Sequence, residues 1–245
     1  MGFEHAIRAS QGARSYQEDA AAVHQDDAGL IAVLADGMGG HAGGAIASEL
    51  ASTSFITGFA KAAGTADTRL LEALEDANAA IADKTQEAPG LSGMGCTLVG
   101  VAFATGAIDW VSVGDSPLYL LREGSLTRLN QDHSLAPEID RLAERGRISW
   151  EEARHHPHRH VLRSAVTGTE IELLDGSQEP LAVQPGDVVI LASDGIHTIS
   201  EPEIGRIVGA AATPGDAAEA LLAAVAAADH PHQDNTTLVV VRITP

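Results

Sequence analysis

Five acidic sites in this chain, one of them a Glu–Asp pair, share one setting, the edge of a short apolar run. Asp36 ends the run in "VLADGMGG", Asp115 in "VSVGDS" and Asp194 in "VILASDG". Asp234 in "QDNTT" stands just before "TTLVVV", and Glu18 and Asp19 in "YQED" just before "AAAV". A single aspartate at a strand end is usually a turn former or helix cap, because its short side chain bonds nearby backbone N–H groups. Five such placements imply more. If the strand ends converge, the carboxylates repel one another unless cations neutralise them. An oxygen-only donor set suits hard Mg²⁺ or Mn²⁺ better than zinc. Gly37 fits the same chemistry, since without a side chain its carbonyl can approach a cation closely.

Other chemistries find less support. Gly37, Gly39 and Ala42 fit a permissive dinucleotide fingerprint between a strand and a helix. But Asp36 would repel a pyrophosphate there, and the chain follows its first helix with a second helix instead of a strand carrying a ribose-binding acid. A thiol phosphatase needs an arginine shortly after its cysteine, and "CTLVGVAF" after Cys96 offers none. Cys96 reads as a small buried residue. No G-x-S-x-G elbow or G-x-x-x-x-G-K-[ST] loop occurs.

The elements that must position these carboxylates follow from periodicity. Strand signals cover 3–10, 20–24 and 30–35, and helical spacing covers 44–63 and 67–86. A meander follows, "CTLVGVAF", "AIDWVSVG", "PLYLLRE" and "SLTRLN", joined by the short turns "ATG", "GDS" and "EGS". Connections this short join antiparallel strands. "EIDRLAERGRISWEEARHH" reads as a helix, a glycine break and a shorter helix. "VVILASDG" is a buried strand, "EPEIGRIVGA" and "GDAAEALLAAVAAAD" are helices, and "NTTLVVVRI" is a closing strand. The expected class is α+β, antiparallel sheets with helices packed outside them.

Composition sets the outer bounds. The chain has 245 residues, 44% of them hydrophobic, with no linker or low-complexity tract, so one domain over 1–245 is expected. A net charge of −19 excludes direct nucleic-acid binding, which needs a basic face. No apolar run approaches membrane-spanning length, and "MGFEHAIRAS" has no apolar signal core. The single cysteine excludes an intrachain disulfide, consistent with a reducing compartment. A soluble cytoplasmic monomer, without a membrane partner, is expected.

Taken in order, "GARSYQEDA", "LADGMGGHAGGAIAS", "GMGCTLVGVAF", "VSVGDSPLYLL", "LNQDHSL", "HPHRHVL", "LASDGI" and "DNTTLVVV" resemble the metal-dependent serine/threonine protein phosphatases of the protein phosphatase 2C type, in their compact bacterial form. The blocks run from Gly12 to Val241; each is weak alone, and eight in order are specific. The resemblance implies a sandwich of two antiparallel β-sheets flanked on both outer faces by α-helices. It also implies two Mn²⁺ or Mg²⁺ ions at one end, with a third, weaker ion. Asp36 would bridge the two core ions, the Gly37 carbonyl would bind one, and Asp194 and Asp234 the other. Asp19, with Glu18 beside it, would hold metal-bound waters, and Asp115 would hold the third ion. Arg14 would grip the substrate phosphate, and His41 lies near the position of a general acid. Because Arg14 carries no ligand atom, its loss should leave metal affinity little changed. Departures from the family pattern are Pro117, Cys96, His160 and the "YQED" block, none of which removes an implied ligand.

The activity implied is hydrolysis of phosphoserine and phosphothreonine in phosphoproteins by a hydroxide bridging the two ions, opposing a serine/threonine kinase that is itself a partner. Such ions lower the pKa of water and screen the phosphate, so in-line attack needs no covalent enzyme intermediate. Two rival readings remain. One is a silent regulator that binds phosphoproteins, which loss of Asp36, Asp194 or Asp234 would have favoured. The other is an enzyme dedicated to a small phosphate ester or a single phosphoprotein.

The segment 141–163 stands apart, with six arginines against three acidic residues, plus "HHPHRH". A solvated helix and loop accounts for it without function. Pro157 breaks helical ligand spacing, which argues against a zinc or copper site built from those histidines. The segment also lies where the family carries a flap beside the metals, so Arg154, Arg159 and Arg163 are expected to attract acidic phosphopeptides. His133 in "QDHS" reads as fixing a turn.

Overall fold

The computed structural model describes residues 1–26, 29–40 and 42–245. Its strands form two antiparallel sheets. One has the order β1 (Gly2–Ser10), β12 (Thr236–Thr244), β11 (Val188–Ala192), β7 (Leu118–Arg122) and β8 (Ser125–Arg128). The other has the order β10 (Leu181–Ala182), β6 (Ala107–Val113), β5 (Leu98–Ala104), β3 (Gly29–Met38) and β2 (Asp19–Asp26). Short strands β4 (Gly95–Cys96) and β9 (Asp175–Gly176) join β3 and β6.

Strand alternation builds the layers. On β3, Ile31, Val33 and Ala35 join the core under α1 (Ala42–Lys61) and α2 (Ala66–Glu87), while Leu30, Ala32 and Leu34 face the other sheet. On β11, Val188, Ile190 and Ala192 pack with α5 (Glu201–Ala210) and α6 (Pro214–Ala227), while Val189 and Leu191 join the core between the sheets. Both faces of these strands are buried, which is why they read as unbroken apolar runs. Each fully buried Leu or Ile contributes about 1.5–3 kcal/mol, so three such cores fix the sandwich firmly. The expected helix–sheet–sheet–helix layering is what the chain adopts.

Two expectations are corrected. Strands β2 and β3 run further than 20–24 and 30–35, because Asp19 pairs with Asp36 in the ladder and β3 continues through Gly37, paired with Cys96. Both aspartates are therefore strand residues. The "GDS" turn does not close a hairpin either. β6 pairs with β5 and β9, whereas β7 pairs with β11 and β8, so the chain crosses between sheets there. Gly114 makes the crossing with φ of 102°, and a side chain at that position would collide with Thr97. Short antiparallel connections are normally hairpins, but pairing partners for β7 arrive only later in the chain.

The segment 141–163 belongs to a small outlying unit. Helices α3 (Ala136–Glu144) and α4 (Trp150–Arg154) close over Ile139, Ala143 and Ala153, with Leu135 and Ile148 packed against them. Ser149 caps α4, accepting from the Glu152 N–H, while the Glu152 carboxylate accepts from the Ser149 N–H. Such a reciprocal cap is typically worth about 1 kcal/mol.

Candidate metal centre

The strand ends named by the sequence do converge. Asp19 and Asp36 face each other across β2 and β3, where opposed residues have Cβ atoms about 5 Å apart and like charges destabilise the pair. Asp194 opens a short 3₁₀ turn after β11, and Asp234 stands two residues before β12. Asp115 sits in the crossing between the sheets.

Polar side chains that the aspartate pattern did not single out hold these ends together. Ser193, fully buried, donates to Asp19 Oδ2 at 2.8 Å and accepts from the Thr237 N–H at 2.9 Å. It thereby ties the two sheets at this pole. Asn235 Oδ1 accepts from the Glu18 N–H at 2.8 Å, and its Nδ2 donates to the carbonyls of Gln11 and Tyr16 at 2.8 and 3.0 Å. It fastens the loop carrying Arg14 and Glu18 to the start of β12. Thr97 Oγ1 accepts from the Asp36 N–H at 3.1 Å and lies 2.7 Å from Ser116 Oγ. Asn130 accepts from the Leu118 N–H at 2.8 Å and donates to the Ser116 carbonyl at 2.9 Å, clamping the crossing around Asp115. The signal for all of them was present: each is a polar residue in the blocks "ASDG", "DNTT", "GCT" and "LNQDH", and buried polar groups require partners.

Gly37 has a packing reason to lack a side chain. A Cβ there would lie 2.3 Å from the Gly44 carbonyl oxygen and 2.4 Å from that of Glu18. Three backbones meet at this point, and the Gly37 N–H donates to the Glu18 carbonyl at 3.1 Å.

Crowding shifts the carboxyls upward. Asp36 is raised well above the usual range, first by burial and then by Asp194, Asp19, Asp115 and Asp234. Asp194 is pushed to about 8 by burial, then by Asp115, Asp234 and Asp19, with Arg14 opposing. Asp115 rises to about 6 through burial and Asp132, against Arg128. Asp19 is raised by burial, against its bond from Ser193. Glu18 Oε1 and Asp19 Oδ1 are buried with no hydrogen-bond partner among the described residues. Orphaned oxygens among mutually repelling carboxylates are what a hard divalent cation satisfies, so the donor set fits Mn²⁺ or Mg²⁺.

Arg14 departs from expectation. Its Nη2 donates to Asp234 Oδ2 at 2.5 Å, so it touches one of the proposed ligands and its loss is expected to disturb metal affinity. His41 lies outside the described residues. His133 is buried and its Nδ1 accepts from the Gly114 N–H at 3.3 Å, so it fixes the turn at the sheet crossing. Burial pushes the Cys96 thiol up, which makes it a poor nucleophile. Two of the flap arginines have local partners. Arg159 grips Asp140 with two bonds of 2.6 and 2.9 Å, and Arg163 meets Glu138 at 2.7 Å. Both guanidinium groups pair inside the flap, and Arg163 remains exposed to solvent.

Residues 9–206 match the family model described as Protein phosphatase 2C. The chain is 38% identical over 167 residues to the serine/threonine protein phosphatase PstP of Mycobacterium tuberculosis, covering 68% of this chain and 31% of that protein. The chain thus spans about a third of that relative's length. It is 32% identical over 241 residues to the serine/threonine phosphatase stp of Listeria monocytogenes, covering 93% of this chain and 90% of the relative. The crystal structure of M. tuberculosis PstP/Ppp superposes with a TM-score of 0.84 at 32% identity, covering 100% of both chains. A structure of the PstP catalytic domain in complex with two manganese ions gives 0.81 at 32% identity, covering 99% of each. With fold, sequence blocks and acidic pole in agreement, the chain belongs to the protein phosphatase 2C family of metal-dependent serine/threonine phosphatases.

Proposed function

We propose that this chain hydrolyses phosphoserine and phosphothreonine in phosphoproteins at its acidic pole, with two Mn²⁺ or Mg²⁺ ions and opposite a serine/threonine kinase in bacterial signalling. The observation that carries the reading is the convergence of Asp19, Asp36, Asp194 and Asp234, where burial and then mutual repulsion raise Asp36 and Asp194, and where Asp19 Oδ1 has no hydrogen-bond partner among the described residues. In this reading Asp36 and the Gly37 carbonyl, with Asp194 and Asp234, hold the core ions, Asp19 and Glu18 hold their waters, and Asp115 serves a third ion. Bound there, such ions supply Lewis acidity and an activated hydroxide near neutral pH.

The chain's own residues do the rest. Arg14 spends one donor on Asp234 and keeps the others of its planar fork to orient phosphate oxygens. Ser193 and Asn235 hold the two sheets and the Arg14 loop in register, so that the phosphate meets a preorganised site. His41 is assigned as proton donor to the leaving oxygen on sequence position alone. Full-length pairing of β1 with β12 supports treating 1–245 as one catalytic unit. In this reading the chain works as a cytoplasmic monomer; no helix among the described residues is long and apolar enough to cross a membrane.

The test is phosphate release from a phosphothreonine peptide with Mn²⁺, with Mg²⁺ and after exhaustive chelation. Release that depends on metal and survives thiol alkylation is expected. Full activity after chelation would overturn the assignment.

A further inference from the structure

Strand β1 is the outer strand of its sheet, and the ladder fixes which of its backbone groups face outward. On β12, the Ile243 N–H donates to the Asp187 carbonyl at 2.9 Å. The Ile243 and Thr237 carbonyls accept from the Gly186 and Ser193 N–H groups at 2.9 and 3.0 Å. Odd-numbered residues of β12 therefore bond toward β11 and its flanking residues, and even-numbered ones bond toward β1. The register sets Ala6 opposite Val240 and Arg8 opposite Leu238, even against even. The N–H and carbonyl groups of Phe3, His5, Ile7 and Ala9 thus point away from the sheet. One of them, the Ile7 carbonyl, accepts from Nη1 of the adjacent Arg8 at 3.0 Å. A groove of about 590 Å³ lies along this edge, bounded by residues 4–8, Val23 of β2 and residues 213–215 at the start of α6. An open row of backbone donors and acceptors beside a groove is a template for another strand.

We propose that this edge pairs with the same edge of a second copy, antiparallel about a two-fold axis at Ala6, joining two five-stranded sheets into one. Three separate requirements meet on that axis. Ala6 is the midpoint of Gly2–Ser10, so every residue of β1 has an opposite number. The axis sets Phe3 against Ala9 and His5 against Ile7 of the second copy. These are the residues with outward backbone groups, so each such pair exchanges two N–H···O bonds. It also sets Glu4 against Arg8, at non-hydrogen-bonded positions where facing side chains come closest and opposite charges stabilise the pair. An axis one residue to either side keeps the backbone phase but sets Glu4 against Ala6 or Ser10. Ala6 meets Ala6 on the axis, where its small side chain lets the strands approach. Glu4 and Arg8 are both exposed. Arg8 holds Glu219 through Nε and Nη2, and its Nη1 is released when the second copy's His5 N–H takes its place on the Ile7 carbonyl. A net charge of −19 on each copy opposes association. The single chain therefore remains the catalytic unit at dilution, and pairing sets in reversibly as concentration rises.

The inference goes beyond the proposed activity and is read from mass instead of turnover, so either can fail without the other. Sedimentation velocity on the full chain, from micromolar to near-millimolar concentration, should show a reversible monomer–dimer equilibrium. Arg8→Glu and Glu4→Arg each set like charges across the axis, and each should weaken the dimer on the order of tenfold. Mixed together, these two variants should pair with each other about as tightly as the parent does with itself, because opposite charges face again. His5→Pro removes an outward N–H and spares the ladder to β12, so it should weaken pairing while melting near the parent temperature. If His5→Pro fails to fold, the charge variants decide alone. A parent that sediments as a single copy throughout overturns the inference and leaves the edge to an extended segment of a different protein. A dimer that neither charge variant weakens, or charge variants that do not pair when mixed, overturns it as well.

Discussion

The acidic pole and the flap are both dense in charge, yet they handle it in opposite ways. At the pole, Asp36 is raised by burial and then by four other aspartates, and buried oxygens of Glu18 and Asp19 lack partners among the described residues. In the flap, Arg159 and Arg163 are answered by Asp140 and Glu138 on α3, and Ser149 and Glu152 cap each other. Charge satisfied inside its own unit holds that unit together. Charge left unsatisfied and partly buried is costly unless something else binds, so it points to a ligand. By this criterion Arg159 and Arg163 serve the flap itself, while a ring nitrogen of His160 lies within 4.8 Å of carboxylate oxygens of Asp115 and Asp194.

The largest effect should come from cutting the centre of the pole. Asp36→Asn is expected to lower kcat/KM for a phosphopeptide by more than about a hundredfold, beyond what outer-shell changes cost at metal sites. Asp115→Asn should lose less. Both should fold, because each removes a repelling charge. Comparable small losses at saturating metal would erase the contrast between pole and periphery.

Next in size is an inverted dependence of stability on pH. The folded pole holds Asp194 at about 8 and Asp115 at about 6, against an unfolded value of 3.8. The metal-free fold therefore binds more protons than the unfolded chain between these values. Its contribution to stability is full below about 4 and is lost as pH rises through 6 and 8. In chelator, the melting temperature should fall between pH 5 and pH 8, and Mn²⁺ should restore more of it at pH 8. A metal-free melting temperature that rises over this interval would show that the carboxylates do not repel as described.

The smallest effect belongs to the flap. Arg159→Ala should cost about 1 kcal/mol or a little more, since the pair is only partly exposed. Turnover of a small aryl phosphate should stay within about twofold of the parent, a change of under roughly 0.5 kcal/mol. A large loss on that small ester would mean that the Asp140 fork supports the metal pole and not merely the flap.

Much of this was legible in the residues. Unbroken apolar runs between short turns named the strands, because each sheet must bury both faces, and three- and four-residue spacing named the outer helices. Aspartates at the ends of apolar runs named the pole, because a charge there is tolerated only at an edge. Eight ordered blocks named the family. The bonds of Ser193 and Asn235 were not legible, although their positions beside Asp194 and Asp234 were conspicuous. Their partners lie at Asp19 and at Gln11 to Glu18, more than 170 residues away along the chain.

The sequence by itself determined the layered α+β class, the donor chemistry and the family, since local periodicity and residue type carry that information. Tertiary structure decided what depends on long-range pairing. It made "GDS" a crossing between sheets, because β7 finds its partner in β11 and not in β6. It put Arg14 on Asp234, and Arg159 and Arg163 on α3, because an arginine's reach is filled by whichever carboxylate the fold brings near. It also set His160 beside Asp115 and Asp194, a meeting of three segments whose separation along the chain conceals their proximity in space.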